Sequence, residues 1–105
     1  MQIGDGVRIM AHSWLTRNMT IGNDVLISGG VLTSNDNAFA RRGYEKPEEF
    51  GPVGEGSAAM GAGAVLFPDI RIGVGAVVGA GLVATKDVQP SKFVLGAPGK
   101  IWRDV

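Results

Sequence analysis

A small or aliphatic side chain recurs at every sixth position along most of this chain. The clearest stretch is IGVGAVVGAGLVATKDV, residues 72–88, where Ile72, Val78 and Ala84 share one phase and Ala76, Leu82 and Val88 follow each by four. Six matches neither the 3.6 of a helix nor the 2 of a simple strand. It is the period of a chain that turns a corner every six residues, so that three short strands close one coil. One such coil cannot bury its inner face alone and needs neighbours above and below it.

The period begins near the N-terminus and runs as two arrays. The first is Ile3, Ile9, Leu15, Ile21, Ile27 and Thr33, with Val7, Ser13, Met19, Val25 and Val31 four residues on. The second is Gly54, Met60, Leu66, Ile72, Val78 and Ala84, with Ala58, Ala64, Ile70, Ala76, Leu82 and Val88. Gly54 is the weak member, and a one-residue slip would put Val53 inward instead. The fourth slot of each hexad holds Gly6, His12, Asn18, Asp24, Gly30, Asp36, Ser57, Gly63, Asp69, Gly75, Gly81 and Asp87. Nearly all are residue types that tolerate a positive φ, so this slot is expected to turn each corner. Three hexads make a coil. Residues 3–20, 21–38, 54–71 and 72–89 then give about four coils in one domain, 1–105.

Between the arrays the count fails, because 21 residues separate Thr33 from Gly54. An insertion, 39–53, must leave the prism and return; a loop this long inside a compact domain is usually functional or disordered, and because it breaks an otherwise strict repeat a functional role is expected. After Val88 the repeat is expected to stop. The tail, 89–105, would cap an end that otherwise exposes sheet edges.

Composition narrows the function. Ten acidic and ten basic residues balance, which gives no footprint for nucleic acid or a membrane surface. There is no cysteine, hence no thiolate metal site and no thiol nucleophile. No apolar run reaches the length of a membrane span. The start, MQIGDG, already lies within the repeat and does not read as a signal peptide, so a cytoplasmic location is expected.

The hexads, the interrupting loop and the ending VATKDVQPSKFVLGAPGKI together resemble the hexapeptide-repeat acyltransferases. The most specific parts are residues 72–88 and GAPGKI at 96–101. The resemblance implies an all-β fold, a left-handed parallel β-helix, against the right-handed rule for ordinary crossovers. It also implies a homotrimer that uses acetyl-CoA or an acyl carrier protein. The segment GGVLTSNDNAFARRG, 29–43, looks like the point where the loop leaves the helix in sugar N-acetyltransferases of surface-polysaccharide synthesis. The expected function is therefore acetyl transfer from acetyl-CoA to an amino or hydroxyl group of a sugar or similar small acceptor, at a subunit interface. A nucleotide-linked amino sugar is one such acceptor. The rival reading is a catalytically silent trimeric scaffold.

By resemblance, Gly61, Ala62, Gly79 and Ala80 line the pantetheine arm, and Lys86, Lys100 and Arg103 face the CoA phosphates. His12, the one histidine, is the candidate base, although its slot also suits a corner. Asn35 and Asp36 stand where the loop departs and are the acceptor-side candidates. Arg41, Arg42 and Tyr44 in the loop are candidates for binding the acceptor. Trp14 and Trp102 read as packing residues. No metal is expected: a zinc site of the γ-carbonic anhydrase kind needs three histidines.

Overall fold

The computed structural model describes residues 1–36, 50–96 and 100–105. Nearly every hexad becomes a two-residue strand and a four-residue corner, and the strands stack into three faces of a prism. The first face stacks β1 (Gln2–Ile3), β3 (Thr20–Ile21), β6 (Val53–Gly54) and β9 (Arg71–Ile72). The second stacks β2 (Arg8–Ile9), β4 (Leu26–Ile27), β7 (Ala59–Met60), β10 (Val77–Val78), β12 (Lys92–Leu95) and β13 (Lys100–Asp104). The third stacks β5 (Leu32–Thr33), β8 (Val65–Leu66) and β11 (Val83–Ala84), with Trp14 bridged to Leu32 above them. Among the described residues every strand pair is parallel except β12 with β13.

The prism axis is filled by the residues the period selects. Ile27, Val31, Leu66, Ile72, Ala76, Val78 and Leu82 are all buried in one aliphatic cluster. Each large aliphatic so buried contributes about 1.5–3 kcal/mol from lost apolar surface. Backbone bonds tie coil to coil, for example Gln2 N–H to Met19 O at 3.0 Å and Met10 N–H to Ile27 O at 2.9 Å. The first coil shows why a coil needs neighbours. Ile3 is 51% exposed and Ile9 45%, whereas Ile21, one coil further in, is 2% exposed.

The weak hexad keeps its register. Gly54 pairs with Ile21 and Ile72 and is buried, and Val53 points outward, so the slip does not occur. Space explains the glycine: a Cβ at Gly54 would lie 2.9 Å from Met60 Cε, so the methionine fills the interior that Gly54 vacates. Ten of the twelve fourth-slot residues have positive φ, His12 at 63° and Asp24 at 58° among them. Asp36 and Asp87, both on the corner between the third and first faces, are not in that set.

Two boundaries need correction. The insertion ends earlier than 53: Gly51 and Pro52 are buried and Val53 is already in β6. Nor does the winding stop at Val88. Val88 bridges to Ile72, and Phe93 and Val94 pair with Val77 and Val78, so a partial fifth coil is present. From Ile72 to Val88 is 16 residues where earlier coils use 18, as from Ile3 to Ile21. Two residues are lost at the 85–88 corner, and this hides the continuation from six-residue counting. The tail covers an edge by lengthening the second sheet, with β13 as its new antiparallel margin.

Thr33 is the one polar residue in the inner column of the third face, and it is 8% exposed. Its Oγ1 accepts the Thr16 N–H at 2.8 Å and donates to Trp14 O at 2.9 Å. The side chain thus holds the first coil to the second just before the insertion leaves. Thr33→Val keeps the volume and leaves the Thr16 amide without that acceptor. It is expected to cost about 1–2 kcal/mol in urea unfolding. An unchanged midpoint would show that water takes over both bonds.

Candidate active site

Asn35 and Asp36 follow β5 after Ser34, at the corner where the insertion departs. Counting by six makes Asp36 a corner residue, stacked below Asn18. In the structure the returning chain takes that place. Gly51 N–H donates to Asn18 O at 3.2 Å, and Asp69 N–H donates to Phe50 O at 3.1 Å. The Phe50 carbonyl does what Gly56 does for Gly75 and Ala62 does for Gly81 at other corners. Asn35 and Asp36 thus stand beside the stacked column, and both are half-buried. Arg41, Arg42 and Tyr44 lie outside the described residues.

His12 sits on the corner between the second and third faces. Its column continues as Gly30, Gly63 and Gly81, all with positive φ. The side chain is exposed. Gly30, which stacks beneath it, is five residues from Asn35, roughly 16 Å of extended chain. Within one chain His12 and Asn35 therefore stand on the corners at opposite margins of the third face.

The same corner carries the proposed arm-lining residues. Ala62 and Ala80 are exposed and Gly61 is half-buried. Gly79 is buried beneath the tail: a Cβ there would lie 2.4 Å from Leu95 Cδ2 and 2.9 Å from Val94 O. Its smallness serves packing. Gly61 is held small by backbone, since its Cβ would meet Ala80 N at 2.5 Å.

One residue beyond Gly81 the chain enters a cleft of about 370 Å³ at the end of the prism. Leu82, Ala84, Val88, Val94 and Ile101 give it an apolar floor, and Lys86 and Lys100 lie on its lining. The shortened last coil makes this space, because it draws Val88 under Ile72 and leaves the third face uncovered below β11. Asp87 also lines it, with its Oδ1 accepting the Arg71 N–H at 2.8 Å. Arg103 is not part of the lining. Its guanidinium lies over the rings of Phe93 and Trp102, 5.3 Å and 4.8 Å from their centroids. The apolar floor was missed in the sequence, although Val88 and Val94 repeat the six-residue step of Ile72 and Val78. Among the described residues no group of three or more His, Cys, Asp or Glu side chains is placed to hold a metal.

No family model matches the chain. A putative acetyltransferase of Schizosaccharomyces pombe is 33% identical over 90 residues, covering 83% of this chain and 44% of that protein. The serine acetyltransferase of Neisseria gonorrhoeae superposes with a TM-score of 0.84 at 28% identity, over 98% of this chain and 38% of that one. The chain belongs to the hexapeptide-repeat acetyltransferase family. A serine acetyltransferase solved in complex with CoA matches with a TM-score of 0.76 at 25% identity, over 96% of this chain and 39% of that one. The winding is left-handed, as in the serine acetyltransferases, because a prism of opposite hand would not superpose so closely. This hexapeptide-repeat chain spans less than half the length of these relatives. The relatives include serine acetyltransferases, so membership of the family does not by itself select a sugar as the acceptor.

Proposed function

We propose that this chain transfers an acetyl group from acetyl-CoA to an amino or hydroxyl group of a small acceptor, at a site shared between copies of a homotrimer. The observation that carries this reading is the cleft. It brings Lys86 and Lys100 together over an apolar floor, at the end of the corner bearing Ala62 and Ala80. Lysine ammonium groups are point-charge partners for phosphates. A serine acetyltransferase of the same fold is solved in complex with CoA. From the level of His12 to that of Gly81 is three coil steps, about 14 Å at the spacing of stacked strands. An extended pantetheine arm laid along this corner runs between the lysine end and the histidine end.

The step balances simply. The acceptor nitrogen or oxygen attacks the thioester carbonyl, a C–N or C–O bond forms, the C–S bond breaks and CoA leaves as thiolate. His12 takes the acceptor proton and returns it to the sulfur. Asn35 and Asp36, where the insertion departs, hold the acceptor. Because His12 and Asn35 lie at opposite margins of one third face, a neighbouring copy supplies whichever group its partner lacks. The exposed apolar line of Trp14 and Leu32 on that face suits such a contact.

Titration calorimetry with CoA tests the reading, followed by acetyl-transfer assays over amino sugars, their nucleotide derivatives, serine and simple hydroxyl acceptors. Lys100→Ala is expected to weaken CoA binding about tenfold, the loss of one charge-assisted contact worth ~1.4 kcal/mol. A folded trimer that binds no CoA would be a scaffold.

A further inference from the structure

The corner where the insertion departs lies beneath an arginine. Trp14 bridges to Leu32, and Thr16 N–H donates to Thr33 Oγ1 at 2.8 Å. The same step sets Ser34 under Thr16 and brings Asn35 to the level below Arg17. The returning leg passes the same spot. Gly51 N–H donates to Asn18 O at 3.2 Å, and a Cβ on Gly51 would lie 2.7 Å from Thr16 Cγ2 and 3.3 Å from Arg17 O. Both legs of the insertion therefore run one strand spacing, about 4.8 Å, below residues 16–18.

Among the described residues most side-chain cations already have a place. Arg71 pairs with Glu55 and Lys92 with Asp104. Arg103 lies over the rings of Phe93 and Trp102, and Lys86 and Lys100 line the cleft. Arg8 and Arg17 remain, both exposed and in neither ion pair. Arg8 is in β2, on the second face and away from the insertion. Arg17 stands over the acceptor candidates. It offers what they do not, a partner for an anion: Asn35 is neutral, and the Asp36 carboxylate repels one. A guanidinium is a planar fork that binds carboxylate or phosphate oxygens two at a time.

We propose that Arg17 reads the charge of the acceptor. The acceptor carries a carboxylate or a phosphate group, which the Arg17 guanidinium binds while Asn35 and Asp36 hold the amino or hydroxyl end that reacts. This rests on the reading of the protein as an acetyltransferase with its acceptor at Asn35 and Asp36.

The test compares matched acceptors on the intact protein with saturating acetyl-CoA: glucosamine 6-phosphate against glucosamine, and serine against serine amide. The parent is expected to favour the charged member of one pair about tenfold in kcat/KM, the size of one charge-assisted contact. The pair that responds identifies the anion as phosphate or carboxylate. Arg17→Gln is expected to raise KM for that acceptor about tenfold with kcat unchanged, while its neutral counterpart and the affinity for CoA stay as in the parent. Arg17→Lys keeps the charge and is expected to restore most of the loss for a phosphate and less for a carboxylate, where the fork matters more. A preference for the charged acceptor that survives Arg17→Gln would overturn the proposal. So would an equal rise in KM for both members of a pair, which marks a residue that shapes the corner without reading charge. A parent that binds CoA yet shows no preference in either pair, or acetylates neither, also overturns it and leaves the cleft reading intact. If the parent binds no CoA by calorimetry, the cleft reading itself is what fails.

Discussion

His12→Asn should lower acetyl transfer by about 10²–10³-fold while leaving the fold and CoA binding intact, the range expected for loss of a general base. Asparagine is the informative replacement. His12 has φ 63°, and asparagine tolerates that left-handed backbone whereas alanine is strained there. His12→Ala would mix a corner defect with a chemical one. His12→Asn removes only the imidazole. The paired measurements are kcat with saturating acetyl-CoA and the urea midpoint. Unchanged turnover would reduce His12 to a corner residue and leave Asn35 and Asp36 as the chemistry. An amine acceptor bound neutral and close would then need no stronger base.

Gly61→Ala is expected to destabilise the protein by about 3 kcal/mol, at the upper end of what overpacking costs. The added Cβ would stand 2.5 Å from Ala80 N, 2.7 Å from Gly79 C and 2.8 Å from Val78 O. All three are backbone atoms of the next coil, and no rotamer change can move them aside. The coil itself must shift, and Gly61 N–H bonds to Val78 O at 2.7 Å across the same gap. Gly63→Ala is the control. A Cβ there meets nothing within 4 Å, but φ is +71°. It should cost only about 1–2 kcal/mol, from the left-handed backbone. Equal losses at the two sites would mean that stacking distance is not what holds Gly61 small.

The prism was legible because its rule is local. Inward residues recur by six, corner residues favour positive φ, and each is visible in residue type. Even Gly54, the poorest match, holds the register that the arithmetic gives it. What escaped was phase. The lost pair of residues between Ala84 and Val88 hid the fifth coil, although the spacing of Val88 and Val94 preserved it. The return of the insertion escaped for a related reason: Gly51 and Pro52 look like loop residues and are buried. At the site, the grouping of Lys86 with Lys100 depends on that hidden coil. The exchange of Asp36 for Gly51 at the corner depends on backbone bonds, which no pattern of side chains announces. The Arg103 stack lies beside a bulge between β12 and β13, and composition carries no sign of it.

The short final winding has a consequence for assembly. Parallel spirals with open ends can in principle template one another without limit, as amyloid strands do. Such growth needs a leading surface that matches the trailing one. Here the C-terminal surface is two residues out of step and bears a reversed strand, so a further copy laid against it finds neither the pitch nor the polarity it requires. Growth from copy to copy against β13 is thereby blocked at its first step.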